Sequence, residues 1–284
     1  MNYRHAYHAG NFADVVKHIV LCRVLVHLQG KPAAFRVIDT HAGAGIYDLA
    51  GGVANKTGEW RDGIGRIIDA KLDADVRVLL APYLDAVAAA NPPGRLLKYP
   101  GSPELARRFL RRQDRLIACE LEPKAASALA RNMRGDARVK TIEIDGWTAL
   151  SAYVPPKERR GVVLVDPPFE QDEDFSRLVQ SLESAHRKWT TGIYLLWYPI
   201  KEPAQALAFT RRLVRSGIPK IVRVEFFVAP GDDAKLNGAG VVVVNPPWTL
   251  ETELARVLPT LAGLLGRGGH GRAKVDWLAG EARN

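Results

Sequence analysis

The sequence predicts an α/β fold on a seven-stranded, mostly parallel sheet with an inserted helical subdomain. Three observations predict it: β-rich runs alternate with helical runs, one helical stretch interrupts that rhythm, and the last two β-rich runs are joined only by a turn-rich loop. Alternation implies parallel strands covered on both faces, because a parallel pair needs a crossover. A connection as short as residues 230–240 suits an antiparallel pair instead.

The first element is a helix over residues 14–28, where Val15, Val16, Ile19, Cys22 and Val24 recur at helical spacing and Asp14 stands near the start as cap or dipole partner. A strand over 35–39 then enters the glycine turn Thr40-His41-Ala42-Gly43-Ala44-Gly45. Residues 48–100 form the insertion, with helical patterns at 64–70 and 76–90 closed by Asn91-Pro92-Pro93-Gly94. The body, 1–47 and 101–284, resumes at Tyr99-Pro100-Gly101-Ser102-Pro103, where Ser102 is expected to cap a helix starting at Pro103. Strands follow at 116–120, 139–144, 162–165, 193–197, 221–228 and 241–244, with helices at 123–133, 175–188 and 202–215 among them. Thr249 is expected to cap one more helix, and the tail 266–284, glycine-rich and basic, carries no clear pattern.

With 47% hydrophobic and 25% charged residues the chain has the composition of an ordinary globular protein. Its formal charge of +9 favours polyanionic partners. Cys22 and Cys119 sit in apolar runs without metal-type spacing, so neither a disulfide framework nor a zinc site is indicated. The N-terminus lacks a signal-peptide layout and no run has the length of a membrane span, which leads us to expect a cytoplasmic protein.

In an open α/β sheet, ligands gather at the carboxyl ends of the strands, and four acids fall there: Asp39, Glu120, Asp145 and Asp166. Asp39 with Gly43 and Gly45 makes a loop in which backbone can approach a ligand closely. Glu120 is placed to accept ribose hydroxyl protons, and the insertion accounts for its long distance from the glycine loop. Asp145-Gly146 ends the next strand, where an acid meets an adenine amine. Taken singly, each acid also matches a helix cap or a solvated strand end.

The sharpest signal is Asp166-Pro167-Pro168-Phe169. Two prolines stop the strand with Asp166 at its mouth, giving a carboxylate, a carbonyl on Pro167 and an aromatic face on Phe169 for a planar, amine-bearing base. Asn245-Pro246-Pro247-Trp248 has the same pattern but ends the strand expected to run antiparallel, so it is read as a structural stop on the opposite edge.

The order of glycine loop, ribose acid, adenine acid and Asp-Pro-Pro-Phe resembles the amino-methyltransferases. More narrowly, Tyr3-Arg4-His5, His8-Ala9-Gly10-Asn11, Asp14-Val15, Lys17-His18, Asp39 to Gly45, Tyr99 to Pro103 and Leu196-Trp197-Tyr198-Pro199 resemble the bacterial large-subunit ribosomal RNA adenine-N6 methyltransferases of the J type, over nearly the whole chain. That resemblance implies a Rossmann-like methyltransferase fold, with S-adenosylmethionine contacted by His18, His41, Ser102, Glu120, Asp145 and Gly146. It implies that Asp166 serves the amine and that Tyr3 and Lys17, with Pro167 and Phe169, meet the RNA or its base. Phe169 stands where the family usually has tyrosine, a change that keeps the stacking face.

The expected reaction is in-line attack of a flipped-out adenine on the sulfonium methyl, with no metal and with the chain acting as a monomer on ribosomal RNA. His5, His8, His18 and His41 are read as ligand or RNA contacts. Rival readings are guanine N2 or DNA adenine as acceptor, a nucleotide-dependent oxidoreductase, and an RNA-binding protein without catalysis. Arg107, Arg108, Arg111 and Arg112 are divided between solvated face and RNA contact. The insertion is expected to act in RNA recognition, to play no part in cofactor binding and to be removable.

Overall fold

The computed structural model describes residues 5–171, 173–230 and 236–281, so Tyr3 lies outside the described residues. The chain opens with helix α1 (Phe12–Gln29), strand β1 (Arg36–Asp39) and strand β2 (Ile46–Asp48). The insertion follows as α2 (Gly52–Thr57), α3 (Ile64–Ile67) and α4 (Ala74–Ala88), and the chain returns through β3 (Lys98–Pro100). Alternation then resumes with α5 (Ser102–Phe109), β4 (Arg115–Glu120), α6 (Pro123–Asn132), β5 (Val139–Glu143), α7 (Gly146–Tyr153) and β6 (Gly161–Val165). The last part holds α8 (Asp174–Lys188), β7 (Ile193–Pro199), α9 (Pro203–Arg215), β8 (Ile221–Phe227), β9 (Gly238–Val244), α10 (Leu250–Leu265) and β10 (Arg272–Ala279).

Among the described residues the main sheet has eight strands in the order β10-β8-β9-β7-β6-β1-β4-β5, one more than the sequence predicts. The additional strand is β10, an edge strand antiparallel to β8 whose residues are nowhere fully buried. Its weak pattern follows from that position, since an edge has only one neighbour to pack against. Strands β4, β1, β6 and β7 pair in parallel, as does β5 with β4. Strand β9 runs antiparallel between β7 and β8, as the short loop requires.

Period-two alternation distributes the inner strands between two cores. Val162 and Leu164 of β6, Leu195 of β7 and Val241 and Val243 of β9 join α1 and α10 on one face. Val163, Val165, Tyr194, Leu196, Val242 and Val244 join α8 and α9 on the other. Helix α1 is buried nearly all round, as expected of a helix covered by sheet on one side and by α4, α5 and α10 on the other.

The caps differ from expectation. Asn11 caps α1, its side chain accepting from the amides of Ala13 and Asp14 at 3.0 Å, while Asp14 lies in the first turn as the dipole partner. Gly101 is the N-cap of α5 and Ser102 its first residue, so Ser102 is free for another role. Thr249 stands at the cap of α10 without a side-chain capping bond.

The insertion leaves and re-enters through an antiparallel ribbon in which Ile46 faces Pro100 and Asp48 faces Lys98. It is not a separable unit. Leu49, Ile64, Leu80, Tyr83 and Tyr99 belong to the same hydrophobic core as α1 and α10, so excision of 48–100 would strip one face of α1.

Candidate active site

The sheet changes direction of progression between β1 and β6, which are neighbours although the chain visits β4 and β5 between them. Asp39 and Asp166 end these two strands, so they flank the crevice where an α/β sheet binds its ligands. A cavity of about 480 Å³ opens there, lined by all six residues that the resemblance assigns to the cofactor: His18, His41, Ser102, Glu120, Asp145 and Gly146.

Glu120 is pre-organised by backbone: Oε2 accepts from the Gly43 amide at 2.8 Å, and Oε1 accepts from the amides of Leu121 and Glu122 at 2.8 Å each. Gly43 adopts φ +61°, and a Cβ there would fall 2.0 Å from the Tyr47 hydroxyl, so only glycine lets this loop meet Glu120. Asp145 caps α7 through Oδ1, which accepts from the Thr148 amide at 2.9 Å, and the residue lines the cavity. Gly146 is needed because a Cβ would lie 2.5 Å from the His41 ring. Burial lowers the His41 pKa to about 4, and the neutral ring meets Trp147 edge-on at 5.4 Å.

Asp39 is buried at the base of the crevice, and neither of its oxygens closes a full hydrogen bond. Burial pushes its carboxyl up to about 7, a rise that the Ser102 hydroxyl and the His41 amide only partly offset. That neighbour is where Ser102 acts in place of capping.

At Asp166 the cavity meets a second, of about 770 Å³, and the two share His5, Lys17, Asp166 and Pro168. Lys17 is buried directly beneath Asp166. Its ammonium lies 2.5 Å from Asp166 Oδ2 and 2.8 Å from Asp14 Oδ1. Burial disfavours that ammonium, but Asp14 and Asp166 outweigh it and raise its pKa. Burial likewise opposes ionisation of Asp14, and the charges of His5 and Lys17 overcome it, holding the carboxyl well below the usual range. Lys17 is therefore a buried ion-pair partner of both carboxylates, and it lines both cavities.

Phe169 adopts φ +50°, a strained conformation for a bulky residue and one typical of functional turns. Its ring stands edge-on to Trp197 at 5.7 Å in the wall of the second chamber. Pro167 is buried between Asp166 and Pro168 in the chain and is not itself part of either cavity lining. Parts of this chamber escape sequence reasoning: Glu59 comes from the insertion, Lys201 from the loop after β7, and Arg267 from the tail. Glu59 ties the insertion to the N-terminal segment, accepting from His8 Nδ1 at 3.0 Å and from Asn11 Nδ2 at 3.0 Å.

The second tetrapeptide lies at the opposite ends of the strands, although β9 is an inner strand. The Asn245 amide donates to Lys220, which precedes β8, and its side chain donates to Thr190 and Gly192, which precede β7. Three of the four clustered arginines are tied to the protein's own acids. Arg107 and Arg108 pair with buried Glu104, and Arg111 with buried Asp114, across one turn each. Among the described residues no group of His, Cys, Asp or Glu is placed to hold a metal ion.

Residues 32–279 match the family described as Ribosomal RNA large subunit methyltransferase D, RlmJ. The Ribosomal RNA large subunit methyltransferase J of Haemophilus influenzae is 40% identical over 99% of this chain and 100% of its own length. That of Escherichia coli K12 is 39% identical with the same coverage. A crystal structure of a Legionella pneumophila protein superposes with a TM-score of 0.87 at 34% identity, covering 95% of this chain and 98% of that one. The chain belongs to the RlmJ family of ribosomal RNA large subunit methyltransferases.

Proposed function

We propose that the chain transfers a methyl group from S-adenosylmethionine to the exocyclic N6 of an adenine in large-subunit (23S) ribosomal RNA, acting in the cytoplasm as a monomer. The observation that carries this reading is the meeting of two chambers at Asp166, one edged by Glu120 and Asp145 and the other walled by Phe169 and Trp197. Residues 1–47 and 101–284 form the methyltransferase body, and 48–100 the inserted subdomain that lends Glu59 to the substrate side.

The first chamber fits S-adenosylmethionine in chemistry. Glu120 has lone pairs beyond its three backbone bonds for the ribose hydroxyls, and Asp145 offers a carboxylate oxygen to the adenine amine. His41 and Gly146 shape the adenine side, while Ser102 and His18, whose Nε2 has no partner, line the remaining part. The bound cofactor supplies an electrophilic methyl on a sulfonium.

In the second chamber a target base turned out of its stack rests on Phe169. Lys17 engages Asp166 Oδ2, which leaves Oδ1 to accept a hydrogen bond from the incoming amine, and the Pro167 carbonyl is the second acceptor. Both bonds favour the pyramidal, nucleophilic form of a nitrogen whose lone pair is otherwise delocalised into the ring. S-adenosylmethionine would supply the methyl for in-line displacement and leave as the sulfide; the charge developing on nitrogen would lie beside the Asp166 carboxylate, and the amine proton would pass to that carboxylate or to water.

The decisive experiment is nucleoside mass spectrometry of large-subunit RNA, unmodified and after incubation with the protein and S-adenosylmethionine. N6-methyladenosine is expected; methyl on guanine N2, or no methylation of RNA, would overturn the assignment. Glu120→Ala should weaken S-adenosylmethionine by about 1.5 to 3 kcal/mol, the scale of a charge-assisted hydrogen bond. Calorimetry checks this, and unchanged affinity would remove Glu120 from the site. RNA affinity should fall with rising salt as counterions are released, and a flat plot of log affinity against log salt would contradict a phosphate-contacting surface.

A further inference from the structure

Behind the first chamber runs a hydrogen-bond chain that the reaction as described does not use. His18 Nδ1 meets the Tyr99 hydroxyl at 2.7 Å, and that hydroxyl meets the Tyr83 hydroxyl at 3.1 Å. All three residues are buried, and both tyrosines come from the insertion, Tyr83 on α4 and Tyr99 on β3. On the other side of the imidazole, Nε2 has no partner, and His18 lines the chamber.

The direction of the chain follows from where its protons end. The ring is neutral, because burial lowers its pKa to about 3, and burial holds both hydroxyls protonated by raising theirs. If Nδ1 carried the proton it would donate to Tyr99, Tyr99 would donate to Tyr83, and the Tyr83 proton would have no acceptor among the described residues. That donor would be orphaned inside the core permanently, at the full cost of its desolvation. In the other direction Tyr83 donates to Tyr99 and Tyr99 donates to Nδ1. The one unused donor is then Nε2–H, on the residue that borders the chamber.

The geometry points to Tyr99, oriented by Tyr83, as a positioning residue that holds His18 in the Nε2–H tautomer so that it donates to the carboxylate of the chamber's ligand. This rests on the reading of the chamber as a site for S-adenosylmethionine, whose amino-acid end carries both a carboxylate and an ammonium. An Nε2–H donates to the first, whose oxygens accept, and repels the second. The insertion therefore has a part in cofactor recognition, contrary to the sequence expectation that it serves RNA alone.

Nitrogen NMR of ligand-free, 15N-histidine-labelled protein reads the tautomer directly, with His18→Asn identifying the signal. Nε2 protonated and Nδ1 bare is the expected state, and Nδ1 protonated would overturn the proposal. Tyr99→Phe preserves shape and should give a mixture of the two tautomers. It should weaken S-adenosylmethionine about tenfold, the value of about one hydrogen bond, while decarboxylated S-adenosylmethionine binds as it does to the unaltered protein. Equal weakening of both ligands would mean that Tyr99 acts only through packing and would also overturn it. Failure of the unaltered protein to bind S-adenosylmethionine would overturn the functional reading, and with it the carboxylate assignment, whatever tautomer is found.

Discussion

Asp166→Ala is expected to reduce methyl transfer by at least about a hundredfold, the lower end of what a positioned acid or base contributes, while the fold persists. Asn245→Ala is expected to retain activity within a few-fold. The contrast is one of strand direction. Asp166 ends β6, a parallel strand beside β1, whereas Asn245 ends the reversed β9 and bonds to residues preceding β7 and β8. Backbone geometry separates the tetrapeptides as well, since the left-handed residue is the fourth in one, Phe169, and the first in the other, Asn245. Single-turnover methylation of unmodified large-subunit RNA by each variant, with circular dichroism as the folding control, gives the answer. An inactive Asn245→Ala beside an active Asp166→Ala would reverse the assignment of the two motifs.

Lys17→Met is expected to destabilise the protein by about 3 to 5 kcal/mol, because it leaves buried Asp14 and partly buried Asp166 without the cation between them. Activity should fall as well, through loss of the partner that orients Asp166. The pH dependence has a definite sign. Asp14 is held below its ordinary pKa by His5 and Lys17, so it contributes stability that is present above the unfolded carboxyl value and lost as pH falls. In Lys17→Met much of that contribution is absent, so the stability gap between variant and unaltered protein should narrow as pH drops below about 4. Urea denaturation from neutral to acid pH measures the gap, and one that is constant or widens would count against the ion-pair account.

Much of this was legible in the sequence where local pattern and tertiary role coincide. The inner strands are apolar on both faces because both faces are covered, and Asp166-Pro167-Pro168-Phe169 marks its strand end because proline cannot continue a ladder. Other features are decided by partners far along the chain. Asp14 and Lys17 have the spacing of an ordinary i, i+3 pair, and nothing local reveals that Asp166 completes it. Arg107 and Arg108 look like a nucleic-acid face until Glu104 is found buried against them. Glu59 and Arg267 reach the second chamber from an insertion and a tail with no motif of their own. Strand β10 was missed because an edge strand half open to solvent needs little apolar pattern.

The two-stranded ribbon at the base of the insertion also bears on how fast this topology can form. Strand β1 must find β4 across the whole insertion, with Arg36 opposite Arg115. Contacts of such long sequence separation slow folding, because chain entropy is lost before the contact repays it. Pairing of β2 with β3 brings Ile46 against Pro100 and removes the intervening residues from the search. What remains is two short connections, and each halving of a loop lowers its closure cost by about 0.6 kcal/mol. The ribbon thus acts as a topological clip that makes a distant strand pairing effectively local.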